Sequence, residues 1–509
     1  MNLKNLNYSK RAVTVIIIST LMRLAAALIP ELSAHESYYR SLVIFPQLES
    51  LRSPPVIGWL IQLFTNNLLF DTPFFIRTAA IFCGTVSMWV LYITAKKISG
   101  EKAGFYSVLL FAASLYLSFG TGMLALPEAP ATLFFLTAIY FFSDAFNPRK
   151  ADCPESYHLC SMAIILAGVF AGLAVLSKFS MIIIWPAIFT YALLNKREYF
   201  NRASFYISFL ISFLFLLPFY LWNSQSNFII EEAQLFSLNI GISLTELILI
   251  FLFILLINNP FNIIIISKSL FCKKTVSEKA VQTGKMSVTL TLFFILYHLL
   301  TSERSVDTAL SGFAASDIFT PLIIAGGIFC SESQVVKSLK RALCFSVVSV
   351  ILFSFQFYTG YASFNFLKKP GGYTPGKFDP TLRFFGGEQI ESSFSNLYHS
   401  DITEGLMSNT SYILESDFYR AYYIDYYIGS KLPVKIKTID GGYAHGGNLK
   451  EGDYAYYFSF STCKNLGLID FGNTNFEKVE KGKIFYIYRL GMPAVRVTVY
   501  RFINFLSTQ

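Results

Sequence analysis

Charge is what this chain has little of. Asp, Glu, Lys and Arg make up 14% of its 509 residues, where a soluble domain carries about 25%. That shortage excludes an ordinary water-soluble globular protein. Cysteine is also sparse and scattered. The seven are Cys83, Cys153, Cys160, Cys272, Cys330, Cys344 and Cys463, and no two form a CxxC pair. A disulfide framework or a structural zinc site is therefore not expected. Tryptophan is rare, at 4, although Phe reaches 52 and Tyr 30. No internal repeat is evident, which removes support for an inverted-repeat transporter.

What is present in excess is apolar length. Hydrophobic residues make up 54% of the chain and the mean hydropathy is +0.50. Runs long enough to cross a bilayer recur, so the class is a polytopic membrane protein. About eleven helical spans are predicted, near 12–30, 74–96, 103–124, 127–146, 158–177, 179–196, 203–222, 242–268, 286–302, 313–331 and 341–360. The first run reads as a retained helix, without the features of a cleavable signal peptide.

The net charge of +9 is not a nucleic-acid signature, because much of it sits in short loops. The stretches "NLKNLNYSKR", "KKISGEK", "NPRK", "NKREYFNR", "SKSLFCKKTVSEK" and "VKSLKR" occupy every second loop. Placing them in the cytoplasm puts the N-terminus inside and the C-terminal tail outside. Localisation is then the cytoplasmic (inner) membrane, with a periplasmic or otherwise extracytoplasmic tail.

Three segments fall on the outer side of this scheme. The loop 31–73 contains "PPVIGWLIQLF", too short to span and suited to an amphipathic helix at the interface. A second outer loop covers 223–239. The tail, 361–509, opens on "KKPGGYTPGKFDP", a linker by its Gly and Pro. It continues with strand-like runs "SYILES", "PVKIKTI", "YAYYFSF" and "KIFYIYRL", and a helix over "DFYRAYYIDYYIGS" with Asp417 as N-cap. The expected organisation is an all-α membrane domain, 1–360, followed by a small extracytoplasmic α/β domain, 361–509.

An ionisable side chain in or near hydrocarbon costs several kcal/mol unless partnered, so each is a functional candidate. Glu36, in "ELSAHESYYR", is either a solvated loop acid or an active-site carboxylate at the membrane surface. Glu128, in "GMLALPEAPATLFF", is bracketed by Pro127 and Pro130. It reads as a helix-start acid favoured by the helix dipole, or as a buried catalytic group. Lys178 interrupts an apolar run from 160 to 195 that is too long for one span. It sits at a tight turn, as a snorkelling lysine or as an ammonium that meets a lipid phosphate. Arg77 and Arg23 could pair with Glu36 or Glu128, or snorkel, and Arg77 is retained as a phosphate-binding candidate. Carboxylates and cations at one membrane face suit general-base activation of a hydroxyl and stabilisation of a departing phosphate.

The order "HESYYR", "SPPVIGWLIQLF", "LPEAPATLFFLTAIYFF", "GLAVLSKFSMIIIWPAIF", "LPFYLWNSQSNF" resembles the bacterial branch of the protein O-mannosyltransferase and aminoarabinose-transferase superfamily. These are GT-C glycosyltransferases, glycosyltransferase family 39-like. The resemblance covers roughly residues 10 to 240, and "ESDFYRAYYIDYYIGSKLPV" resembles the extracytoplasmic domain of bacterial members. It implies a polyprenyl-phosphate sugar donor and an outer-face site. The implied acceptor is a lipid, glycan or protein of the cell envelope.

The resemblance also assigns residues. The family carries Asp-Glu in the first outer loop, and here those positions are His35 and Glu36. A His before the Pro-Pro pair is replaced by Ser53. The second acidic position is Glu128, and the Lys of the Ser-Lys pair is Lys178. Catalytic roles are thus expected of Glu36, His35 and Glu128, and donor-phosphate binding of Lys178 and Arg77. An imidazole titrates near neutral pH, so His35 could serve as the base. No cofactor is required by the pattern, and a divalent metal remains open because no ligand spacing marks one. The competing readings are a catalytically divergent relative that binds polyprenyl phosphate, and a lipid or solute transporter. His35 in the Asp position is the argument for the first.

Overall fold

The computed structural model describes residues 7–44, 54–146, 154–217, 252, 254–270, 277–301, 315–329, 332–361, 379–438, 444–445, 449–461 and 468–506. The outer loop expected over 223–239 and much of the expected span 242–268 lie outside these, as do Cys153, Cys272, Cys330 and Cys463. The chain divides into two compact units. One comprises Met1–Leu28 with Phe45–Val348, and the other Ile29–Ile44 with Ser349–Gln509.

The first unit is helical. Its elements are α1 (Tyr8–Ala27), α3 (Val56–Phe64), α4 (Pro73–Ser99), α5 (Glu101–Ala113), α6 (Glu128–Ala145), α7 (Pro154–Ser177), α8 (Ile184–Asn195), α9 (Ala203–Leu214), α10 (Pro260–Leu270), α11 (Glu278–Thr301), α12 (Ala315–Phe329) and the first part of α13 (Glu332–Thr359). The helix α2 (Ala34–Ile44) belongs to the other unit. Helix covers all or part of each of the eleven expected segments. Among the described residues, four helices are long and apolar enough on their own to cross a bilayer: Pro73–Ser99, His158–Ser177, Glu278–His298 and Ser338–Thr359. The α3 helix is the expected interfacial one. It buries Val56, Ile57 and Ile61 and exposes Trp59 and Leu63.

The third expected span, 103–124, is not one straight helix. It bends by 84° between α5 and Tyr116–Met123. A broken helix in hydrocarbon must have its freed carbonyls satisfied by neighbours. Here the segment "NNPFN" does so. Asn259 Nδ2 donates to the Ala113 carbonyl at 3.1 Å and Asn262 Nδ2 to the Leu110 carbonyl at 2.9 Å. Ser114 Oγ donates to Asn258 Oδ1 at 2.9 Å. Arg23 serves the far side of the bend, where Nε donates to the Ser118 carbonyl at 2.8 Å. Arg23 is fully buried, so it does not snorkel as the sequence allowed. Close packing of Gly84 on Gly122 makes room for it: a Cβ on Gly84 would come within 2.6 Å of Gly122 Cα, and one on Gly122 within 2.8 Å of Arg23 Nε. Small residues at such helix contacts let backbones approach.

The second unit carries a six-stranded sheet in the order β3-β2-β1-β4-β6-β5. The strands are β1 (Tyr412–Glu415), β2 (Lys435–Thr438), β3 (Ala444–His445), β4 (Ala455–Phe460), β5 (Phe476–Arg489) and β6 (Met492–Phe505). β1 runs parallel to β2 and β4, and the other pairs are antiparallel. Its helices are α14 (Gly387–Thr403), α15 (Phe418–Ile424) and α16 (Leu468–Asn475). Asp417 caps α15 as expected, accepting from the Arg420 N–H at 2.9 Å.

Ile29–Ile44 joins this unit because its aromatic face packs there. The Tyr38 ring lies 5.0–5.4 Å from Phe418, Tyr419 and Tyr422. The Leu32 N–H donates to the Tyr427 hydroxyl at 2.9 Å, and the Gly387 N–H to the Glu31 carboxylate at 2.6 Å. The first stretch of the expected loop 31–73 is therefore an ordered helix on the α/β unit.

Candidate functional site

Two helix starts and one helix end bring the polar residues of the first unit together. Glu128 opens α6 behind Pro127, whose φ of −55° suits a helix start. Lys178 ends α7: its backbone is extended, with φ −154°, although its N–H still donates to the Ala174 carbonyl at 2.9 Å. A short 3-10 turn, Phe179–Ile183, then leads into α8. The single apolar run is thus split where the charge falls, as expected. Asp317 lies in the first turn of α12. Both carboxylates sit at helix N-termini, where the dipole favours negative charge.

Lys178 Nζ lies 3.0 Å from Asp317 Oδ2 and 3.4 Å from Glu128 Oε1. All three side chains are buried, so the snorkelling alternative for Lys178 is excluded. Ser180 Oγ donates to Asp317 Oδ2 at 3.1 Å. On the other side, His298 Nε2, from α11, is 3.7 Å from the same oxygen.

The two acids are used differently. Asp317 accepts two hydrogen bonds, from Lys178 and Ser180. Glu128 is 1% exposed, and neither of its oxygens accepts a hydrogen bond among the described residues. The Lys178 ammonium lies 3.4 Å from its Oε1. Asp317 and His298 were not among the residues singled out in the sequence. The signal was available, since Asp317 is an acid inside an expected span.

The other expected site residues make contacts of their own. Arg77, in α4, is fully buried, and its Nη1 donates to the carbonyl of Ala27, the last residue of α1, at 3.2 Å. Glu36 belongs to the second unit and is not a solvated loop acid. Its Oε2 accepts from both the N–H and the hydroxyl of Ser33 at 3.1 Å, while its own N–H donates back to Ser33 Oγ at 3.3 Å. This is a reciprocal capping box at the start of α2.

His35 packs on Tyr419 with ring centroids 4.2 Å apart. Burial, aided by Arg383, pushes its imidazole down to about 4, against the opposing pull of Asp417 and Glu36. Near neutral pH the ring is therefore uncharged and a weak base. The near-neutral titration expected of it does not hold in this setting.

Among the described residues, no group of three or more His, Cys, Asp or Glu is arranged to hold a metal.

The fold and this cluster describe a multi-pass helical membrane unit joined to a small α/β unit. The family model for dolichyl-phosphate-mannose-protein mannosyltransferases matches residues 52–222. That range includes Arg77, Glu128 and Lys178 and stops short of Asp317. The fold resembles the crystal structure of ArnT from Cupriavidus metallidurans bound to undecaprenyl phosphate. The TM-score is 0.60 at 12% identity, over 98% of this chain and 99% of the other. The apo structure of the same protein gives 0.59 at 11% identity over the same shares. No curated protein matches the chain by sequence. The likeness is one of fold, a multi-pass helical unit joined to a small α/β unit.

Proposed function

We propose that this protein is a membrane glycosyltransferase. It would move a sugar from a polyprenyl-phosphate carrier to a hydroxyl of a cell-envelope lipid, glycan or protein. The site is assigned to the outer face of the cytoplasmic membrane, in keeping with the loop charges. The observation that carries the reading is the Glu128–Lys178–Asp317 cluster, with one carboxylate held and one left with open acceptor sites. The fold likeness to a protein crystallised with undecaprenyl phosphate supports the donor class.

In the proposed reaction the acceptor oxygen bonds to the sugar's anomeric carbon. The bond from that carbon to the phosphate oxygen breaks, and its electron pair leaves with polyprenyl phosphate. The hydroxyl proton passes to a carboxylate. Glu128 is the carboxylate whose geometry favours this role, because its oxygens are available. Glu36 is the alternative base, with its Oε2 already engaged by Ser33. His35, as a weakly basic ring, is the less favoured third. Lys178 would stabilise the leaving phosphate, Asp317 would hold Lys178, and Arg77 is the further cation proposed for the phosphate.

One observation favours a second reading, a divergent carrier-binding relative: His35 stands in the family's Asp position and Glu36 is occupied as a cap. Mass spectrometry of envelope glycolipids and glycoproteins from cells with and without the gene separates the two. A sugar missing from one acceptor supports transfer. An unchanged glycan inventory, with polyprenyl phosphate still bound by the purified protein, supports the carrier-binding relative.

A further inference from the structure

The long hairpin of the second unit is apolar on the face it exposes. β5 and β6 have 14 residues each, so at about 3.4 Å per residue the ribbon reaches roughly 45 Å. β4 pairs with β6 from Val497 to Phe502, and just past β4 the Ser461 N–H donates to the Arg496 carbonyl at 2.9 Å. The tip, residues 486–495, therefore runs beyond β4 as a two-stranded ribbon, with the Gln389 side chain of α14 bonded to the Tyr488 backbone. A ribbon in water shows polar side chains outward. Here Ile484, Tyr486, Tyr488, Leu490 and Met492 alternate along the exposed side, and Leu490 at the turn is 73% exposed.

The one charged residue between Ile484 and Val495 is turned inward. Arg489 is buried, donates to Asp379 Oδ2 at 2.7 Å and Thr381 Oγ1 at 2.9 Å, and lies over the Phe385 ring. Exposed Lys481, Lys483 and Arg496 stand behind the tip.

Arg489 also ties the tip to the end of a membrane helix. Its Nη1 donates to the Gln356 carbonyl at 3.3 Å, and its guanidinium lies over Phe357. Both residues are in the last turn of α13, and Ser338–Thr359 is long and apolar enough to span. In this stretch Ile351, Leu352, Phe353, Phe355 and Tyr358 are exposed, the pattern of side chains that face lipid.

We propose that the β5–β6 tip inserts into the bilayer surface at the leaflet where α13 ends. Leu490 and Met492 enter the acyl boundary, Tyr486 and Tyr488 lie at headgroup level, and the basic residues behind them meet lipid phosphates. The lipid surface is the occupant because Arg489 holds the apolar tip against the last turn of α13, a helix whose exposed side chains there are apolar. Arg489 makes that junction rigid.

Site-directed spin labelling tests this in full-length protein reconstituted in liposomes, with its seven native cysteines replaced by serine. Labels go on Leu490→Cys at the tip, Lys478→Cys at the far end of β5 and Leu352→Cys on α13. Collision with oxygen, which partitions into lipid, is compared with collision with a water-soluble nickel chelate. The label at 490 should favour oxygen, as at 352, and the label at 478 should favour nickel. Nickel preference at 490 equal to that at 478 would overturn the proposal. Spin–spin broadening at 490 without oxygen preference would also overturn it, since the occupant would then be a second copy of this chain.

Discussion

Replacing Lys178 with Met removes the ammonium that lies beside two buried carboxylates. It lies 3.0 and 3.4 Å from them. At an effective dielectric constant near 20, each contact at that range carries about 5 kcal/mol of Coulomb attraction, before the desolvation that offsets most of it. Breaking a buried pair from one side leaves an uncompensated charge and typically costs about 3–5 kcal/mol. Lys178→Met alone should fall in that range. Adding Asp317→Asn removes one of the stranded charges, so the double variant should recover at least about 2 kcal/mol of the loss. Equilibrium unfolding in mixed micelles, titrated with a denaturing detergent, gives all four corners of the cycle. If Asp317→Asn makes Lys178→Met worse by its own separate cost, within about 0.5 kcal/mol, the residues are uncoupled and the cluster has no energetic meaning.

Other expectations rest on separate observations. Glu36→Gln keeps an oxygen to accept from Ser33 and should preserve the start of α2, whereas Glu36→Ala should cost about 1 kcal/mol through loss of the cap. If Glu36 is the base, both variants lose transfer, and full activity in Glu36→Gln would assign it a capping role alone. His35 has its folded pKa lowered to about 4 from 6.5. Between those values the unfolded chain takes up the proton and the folded one does not. Stability should therefore fall as pH drops from about 6.5 toward 4, and His35→Gln should flatten that slope in a melting series; an unchanged slope would refute the burial argument. Gly84→Ala should destabilise the helical unit by about 1–3 kcal/mol, because its Cβ meets the Gly122 backbone. Thermal melts in detergent check this, and an unchanged midpoint would contradict the close approach.

Features that rest on chain physics were legible in the sequence. An apolar run from 160 to 195 had to break, and it breaks at Lys178 because an ammonium with partners can end a helix there. Asp417 capped its helix because its carboxylate reaches N–H groups of the first turn. The bend in the third span was not legible. It depends on Asn259 and Asn262, about 150 residues later in the chain, supplying donors to α5. Asp317 and His298 were passed over because apolar neighbours dominate their windows, although the cost argument that singled out Glu128 applies equally to a buried Asp317. Neither sequence reading of Glu36, solvated loop acid or active-site carboxylate, includes its capping role, yet "SAHE" has the S-x-x-E spacing of a capping box. β6 pairs with both β4 and β5, and its role follows from that pairing more than from its own pattern.

The central claim is that Glu128 and Lys178 act on a sugar carried by polyprenyl phosphate. The most direct measurement is single-turnover transfer of radiolabelled sugar from a polyprenyl-phosphate donor to envelope acceptors, using membranes that hold equal amounts of wild-type, Glu128→Gln or Lys178→Met protein. The account predicts transfer by the wild type and a loss of about a hundredfold or more in Glu128→Gln, with Lys178→Met also impaired. Transfer at the wild-type rate by Glu128→Gln, or no transfer by the wild type from any polyprenyl-linked sugar, would contradict it.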